Sequence, residues 1–195
     1  MNQHLKKFWA AGCMLLALSC NALAVEVAGV KMEDSVKLAN VDLILNGAGV
    51  RTKAIFKVYV AGLYLAEKKT TVADVLALAG PRRMKMVMLR EVSGDDFGAS
   101  FMTGLNANAD SAEKKKLVNQ IQQFGEIFNL IPTLKKGDSI YLDWIPGRGT
   151  QSSVNGKQIG DIIPDQLFYN AVLKIWLGDK PVDSSLKPQL LGSAN

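Results

Sequence analysis

The sequence predicts an α+β domain, a mostly antiparallel sheet with helices gathered on one face. Three observations carry this. Strand-like segments come first, followed by helices, then strands, then helices again. Arg83 to Val92 and Ser139 to Ile145 alternate in the manner of half-buried strands, with Met84, Met86 and Met88 on one side of the first. Asn155-Gly156, between Thr150–Val154 and Lys157–Ile162, is the dipeptide a two-residue hairpin turn demands.

The chain begins with an address. Lys6 and Lys7 precede an apolar run, Phe8 to Leu18, that falls short of the roughly 20 residues a bilayer needs. Ala22-Leu23-Ala24 then supplies a small-x-small cleavage pattern, so residues 1–24 read as a signal peptide cut after Ala24. The expected destination is the periplasm. A lipoprotein with Cys20 as the modified residue is the alternative, and Ala17-Leu18-Ser19 fits it less well.

Removing 24 residues from 195 leaves 171, enough for one domain with its own core, residues 25–195. Both cysteines, Cys13 and Cys20, leave with the signal, as does His4. The remainder has no side chains for Cys-His or Ser-His-Asp chemistry, for a usual zinc or copper site, or for a disulfide. No metal and no cofactor is expected. Losing Lys6 and Lys7 lowers the formal charge from +5 to +3, too modest to argue for nucleic acid. No later run is long and uncharged enough to span a membrane. The oligomeric state is not legible.

Taken in order, Glu26–Val30 and Ser35–Leu38 read as short strands, and Val41–Leu45 as a third. Asn46-Gly47-Ala48-Gly49 reads as a glycine turn. It leads through Arg51 to Ala54–Leu65, a nearly continuous apolar run expected to be a central strand buried on both faces. Thr70 or Thr71 caps a short helix ended by Gly80-Pro81. Ser93 to Asp96 opens a helix carrying Phe97, Phe101 and Leu105 at four-residue spacing. Asp110 or Ser111 begins what reads as the longest helix, with the stripe Leu117, Ile121, Phe124, Phe128 and Ile131, ended by Pro132. After the hairpin strands, Pro164 starts a helix with Phe168, Val172, Ile175 and Trp176 on its apolar side, and Ser184–Leu191 forms the last one.

Arg51 is the leading candidate for chemistry. A guanidinium in a pocket binds a carboxylate, phenolate or enolate through its planar fork, and it cannot act as a base. The competing reading is an exposed arginine paired with Glu67 or Glu91. Tyr59 shares strand parity with Lys57 and, absent a bulge, with Arg51; together they could stabilise an oxyanion. Phe97 and Phe101 fit a core, or the wall of an apolar pocket. Lys114 to Lys116 read as a solvated helix face, and Arg82-Arg83 and Lys135-Lys136 as loop or strand-end charges.

Gly47-Ala48-Gly49-Val50-Arg51, followed by Lys57 to Leu65, resembles the chalcone isomerase superfamily, where a Gly-Ala-Gly-x-Arg segment leads into a strand of this type. The likeness continues at Arg90 to Phe97, at Phe124-Gly125-Glu126 and at Ala171 to Gly178, in the same order over nearly the whole mature chain. It implies an open-faced β-sandwich with helices on a large antiparallel sheet. In the plant enzymes of that family an arginine assists attack of a phenolate, while a threonine and a tyrosine polarise the ketone. Non-catalytic relatives hold a fatty-acid carboxylate with the arginine and a tyrosine. Matched this way, Arg51 is the arginine and Tyr59 stands at the threonine. Phe97 stands at the catalytic tyrosine, Ser100 and Gly104 at a lysine and an asparagine, and Ile175 at another substrate-side threonine. The segment between Arg51 and Lys57 is shorter than in the enzymes.

Phe97 has no hydroxyl, and losing such a donor costs about two to three orders of magnitude in rate. The expectation is therefore an exported, non-catalytic protein holding a small apolar anion such as a fatty acid, with Arg51, Tyr59, Phe97 and Phe101 as ligand-binding residues. One alternative is an isomerase or lyase on an α,β-unsaturated carbonyl, with Arg51 and Tyr59 stabilising the oxyanion. Another is a structural or partner-binding envelope protein with a vestigial pocket.

Overall fold

A computed structural model describes residues 24–193. Apart from Ala24, the predicted signal peptide lies outside the described residues, as do Cys13, Cys20 and His4. The centre is a seven-stranded antiparallel sheet. Its strands in chain order are β3 (Ser35–Leu38), β4 (Val41–Lys53), β5 (Phe56–Leu65), β6 (Arg82–Met88), β9 (Ser139–Ile145), β10 (Gly149–Val154) and β11 (Lys157–Gln158). They lie side by side as β11-β10-β9-β6-β5-β4-β3. Two small two-stranded sheets stand apart from it, the hairpin of β1 (Val25–Val27) with β2 (Val30–Met32) and the antiparallel pair of β7 (Val92–Ser93) with β8 (Thr133–Leu134).

Alternation divides each strand between two apolar layers. Tyr59, Ala61, Leu63, Met84, Met86, Leu142 and Trp144 face the helices. Val60, Tyr64 and Val87 face the other way, where Met32 and Leu43 complete a smaller cluster. The helical layer comprises α1 (Val72–Ala77), α2 (Gly94–Asn108), α3 (Ser111–Lys116), α4 (Val118–Ile127), α5 (Gln166–Leu177) and α6 (Leu186–Leu190). Side-chain caps start several of them: Thr71 accepts from Asp74 N, Ser93 from Asp96 N, and Asp110 forms a capping box with Glu113. Phe97, Phe101, Phe124, Phe128, Phe168 and Trp176 form a chain of ring contacts with centroids 4.6 to 6.2 Å apart. Such pairs add about 0.5–1.5 kcal/mol each beyond burial. Among the described residues no helix is long and apolar enough to cross a membrane.

The α+β architecture agrees with the sequence reading, and several details do not. Asn46 to Gly49 is no turn: β4 continues through it with a bulge at Asn46, and the chain reverses at Ala54-Ile55, with Ala54 at φ 54°. The glycines serve packing instead. A Cβ on Gly47 would stand 2.0 Å from the Gln189 carbonyl oxygen, so only a glycine lets α6 lie on the strand. The single long helix from Asp110 to Ile131 is three pieces, α3, α4 and a 3-10 turn at Phe128–Leu130, with the break at Leu117, which is fully buried. The stripe identified the core face correctly because the pieces keep one side inward. Arg82 is not a surface charge. It is completely buried and donates to the Val75 carbonyl at 3.1 Å, at the end of α1, and to Asn170 Oδ1 at 2.9 Å. Arg83 grips Asp143 through two bonds of 2.6 Å.

Candidate functional site

The site is built on the β4–β5 hairpin, and a bulge decides which way it faces. Leu45 stands opposite Tyr64 and Gly47 opposite Leu63, so Asn46 has no partner in the ladder. One extra residue reverses the parity of everything after it. Leu43 and Leu45 therefore point to the smaller cluster, while Arg51, also odd-numbered, turns to the helix side opposite Tyr59. Asn46 is buried and holds the bulge in place. Its Nδ2 donates to the Lys69 and Leu190 carbonyls, both at 2.8 Å, and its Oδ1 accepts from Lys69 N at 2.7 Å.

A second irregularity follows Arg51. Thr52 pairs with Lys57 while Arg51 pairs with Tyr59, leaving Val58 unpaired. Lys57 is thereby separated from the pair: it is exposed and does not line the cleft. The expected Arg-Lys-Tyr group is a two-residue set.

Arg51 is only 7% exposed. Its Nη2 donates to Ser100 Oγ at 3.2 Å, and its guanidinium carbon lies 5.6 Å from the Tyr59 ring centroid. Among the described residues it makes no ion pair; Glu67 is bound to Lys69 at 3.0 Å instead. Tyr59 lies beneath it, almost wholly buried. Its hydroxyl accepts the Trp176 indole N–H at 2.9 Å. Among the described residues no acceptor takes the hydroxyl's own hydrogen. Burial pushes the Tyr59 pKa up to about 12, although nearby Arg51 and the Trp176 bond pull the other way. Tyr59 is thus a neutral donor at physiological pH.

These residues open onto a cleft of about 500 Å³, within the usual range for small-molecule sites. Val58, Phe97 and Phe101 form its apolar wall, and Phe97 meets Tyr59 edge-on with centroids 6.4 Å apart. Exposed Lys53, Arg90, Glu91 and Asp96 border it. All four residues singled out from the sequence, Arg51, Tyr59, Phe97 and Phe101, line this one cleft. Gly104 and Ile175 belong to a helix contact: a Cβ on Gly104 would stand 2.9 Å from Ile175 Cγ2.

Asp183 fastens the neighbourhood by accepting from Thr52 N at 2.8 Å. Burial works against its charge, but the bonds from Ser185, Thr52 and Leu186 prevail and hold its pKa below the ordinary carboxylate value. Sequence reasoning did not single out Trp176 as a hydrogen-bond partner, Ser100 as a support for Arg51, or Asn46 as the bulge residue. Only Ser100 left a signal, standing three residues, about one helical turn, after Phe97 on α2.

The arrangement can do two things chemically. It can receive an anion at a guanidinium and a phenol, and it can cover an apolar chain with phenyl rings.

No curated protein matches the sequence significantly. Among solved structures, a fatty-acid binding protein of Arabidopsis thaliana has a similar fold, with TM-score 0.61 at 15% identity, covering 84% of this chain and 92% of that one. The family model described as chalcone isomerase-like matches residues 24–192, the span that holds the sheet, the helical layer and the cleft. The chain belongs to the chalcone isomerase-like family.

Proposed function

We propose that the protein is exported and binds a fatty acid or similar apolar carboxylate in the Arg51 cleft. The observation that carries this is Arg51 itself: a buried guanidinium without an ion pair among the described residues, at the edge of an apolar cleft. A buried charge lacking a counter-charge is costly, and a ligand carboxylate would relieve it. Tyr59 adds a second donor that keeps its proton at neutral pH. The fold shared with a fatty-acid binding protein supports the ligand class.

Native mass spectrometry of protein purified from its host tests this. Wild type is expected to carry a fatty acid and Arg51→Ala to lose it. Affinity should fall about tenfold to a hundredfold, the worth of one hydrogen bond to a charged group. Absence of lipid from wild type, or equal lipid in the variant, would overturn the reading. Export is checked by the recovered N-terminus, which should be Val25.

A neutral phenol beside a guanidinium also favours a second reading, an isomerase or lyase that stabilises an oxyanion between Arg51 and Tyr59. Turnover of enone substrates that disappears in Tyr59→Phe would support it, and inert behaviour across a varied panel would remove it. The vestigial-pocket reading called for an exposed Arg51 with no cavity beside it, and Arg51 is buried and lines a cleft.

A further inference from the structure

One end of the sheet has a surface unlike the rest. The β4–β5 hairpin ends there with Ile55, 85% exposed, and Phe56, 52% exposed. Two adjacent large apolar side chains at a hairpin tip contribute nothing to the core. Phe56 also lines the cleft, so the tip and the cleft form one continuous surface.

Cations surround this tip. Lys53 and Lys57 flank it on the hairpin, and the Arg90 guanidinium carbon lies 4.8 Å from the Phe56 ring centroid. Lys135 and Lys136 reach the same end, because Gly137 N donates to the Met88 carbonyl and Leu89 N to the Val58 carbonyl, both at 2.9 Å. Lys157 follows in the β10–β11 hairpin, which is tied to Ser139 through Asn155 N at 2.7 Å. All six are exposed. Against them stand Glu91, Asp95, Asp96 and Asp138. Asp96 is engaged by Ser93 Oγ, and Asp138 by Asn155 Nδ2 and Lys135 N.

We propose that this end of the sheet docks on an anionic lipid bilayer, with Ile55 and Phe56 entering the headgroup layer and the surrounding lysines and arginine contacting lipid phosphates. Two adjacent side chains are too small a centre for a stable protein interface, which buries about 800 Å² per partner. They suit an interfacial anchor, where a few apolar groups combine with basic residues worth about 1 kcal/mol each near an anionic surface. Docking in this orientation sets the cleft border beside the acyl layer, so an apolar carboxylate could pass between bilayer and cleft with little exposure to water. The proposal extends the apolar-carboxylate reading of the cleft and can fail separately from it.

The test is co-sedimentation of the protein, recovered from its host with its natural N-terminus, with two kinds of vesicle. One is an equal mixture of phosphatidylglycerol and phosphatidylcholine, the other phosphatidylcholine alone. Wild type should bind the anionic vesicles at least tenfold more tightly, and 0.5 M salt should remove most of the difference. Ile55→Ser should weaken anionic binding about tenfold, and Lys57→Gln, Lys135→Gln and Lys136→Gln combined about a hundredfold. These positions are exposed, and unchanged thermal melting confirms that the variants fold. Ile55→Ser should keep its native-mass-spectrometry ligand, and Arg51→Ala should keep vesicle binding, so the two readings are scored independently. Wild type that ignores anionic vesicles, or Ile55→Ser that binds them as wild type does, overturns the proposal. The first result would redirect the basic tip to an acidic protein partner.

Discussion

Arg51 and Tyr59 stand directly opposite each other on adjacent antiparallel strands, with the guanidinium carbon 5.6 Å from the ring centroid. The contact is within cation–π range and is shielded from water by both residues' burial. The pair is therefore organised before any ligand arrives. Ser100 supports Arg51 from α2, and Trp176 supports Tyr59 from α5. Four elements converge on two polar groups, which is the physical content of a preformed site.

The Trp176–Tyr59 bond predicts a measurable coupling. Tyr59→Phe removes the acceptor and leaves a buried indole N–H unsatisfied. Urea unfolding should show a loss of about 1–3 kcal/mol. Trp176→Phe removes that donor but leaves space, so it also destabilises. The double variant should be less destabilised than the sum of the singles, and simple additivity in the cycle would refute the bond's importance.

Asn46→Ala strips the bulge of its three side-chain bonds to Lys69 and Leu190. The expected cost is about 2–3 kcal/mol in chemical unfolding. Ligand affinity should fall as well, because the bulge sets the face on which Arg51 emerges. A variant that loses stability but keeps full affinity would show that Arg51 is held by other means.

Gly47→Ala and Gly49→Ala separate rigid from yielding contacts. At Gly47 the new methyl meets the Gln189 and Leu190 carbonyls, at 2.0 and 2.9 Å. At Gly49 its nearest neighbour is the movable end of the Gln189 side chain, at 1.8 Å, with Leu186 Cδ1 at 2.9 Å. Gly47→Ala should cost about 2–3 kcal/mol, as overpacking does, and Gly49→Ala less. Thermal melting of the two variants checks the order, and the reverse order would contradict the placement of α6.

Asp183 gives a pH dependence with a definite sign. Its folded pKa lies below the unfolded value, near the ordinary 3.8. The stabilisation is therefore fully present above that value and is lost as pH falls through the lower, folded pKa. Asp183→Asn should cost about 1–2 kcal/mol at pH 7. It should also flatten the fall in stability below pH 4. Unfolding curves at pH 7 and pH 3 measure both effects, and equal acid sensitivity in the two proteins would show that other carboxylates dominate.

Much of this protein follows from its local pattern. Alternation in β6 and β9, the Asn155-Gly156 turn and the apolar stripes determine the element order and the two-layer architecture, because burial acts on one face at a time. With residues 1–24 set aside, residue types alone leave arginine, lysine, tyrosine, hydroxyl and carboxylate chemistry and exclude histidine and cysteine. The bulge at Asn46 is different. Leu45, Gly47 and Arg51 share odd parity in the sequence, yet the extra residue sends Leu45 to one face and Arg51 to the other. No local signal distinguishes that from a turn, since Asn and Gly suit both. The buried partners of Asn46, Tyr59 and Arg82 lie 7 to 144 positions away in sequence. Such contacts exist only once strands and helices have packed, and that packing turned a glycine-rich segment and an arginine into one wall of a cleft.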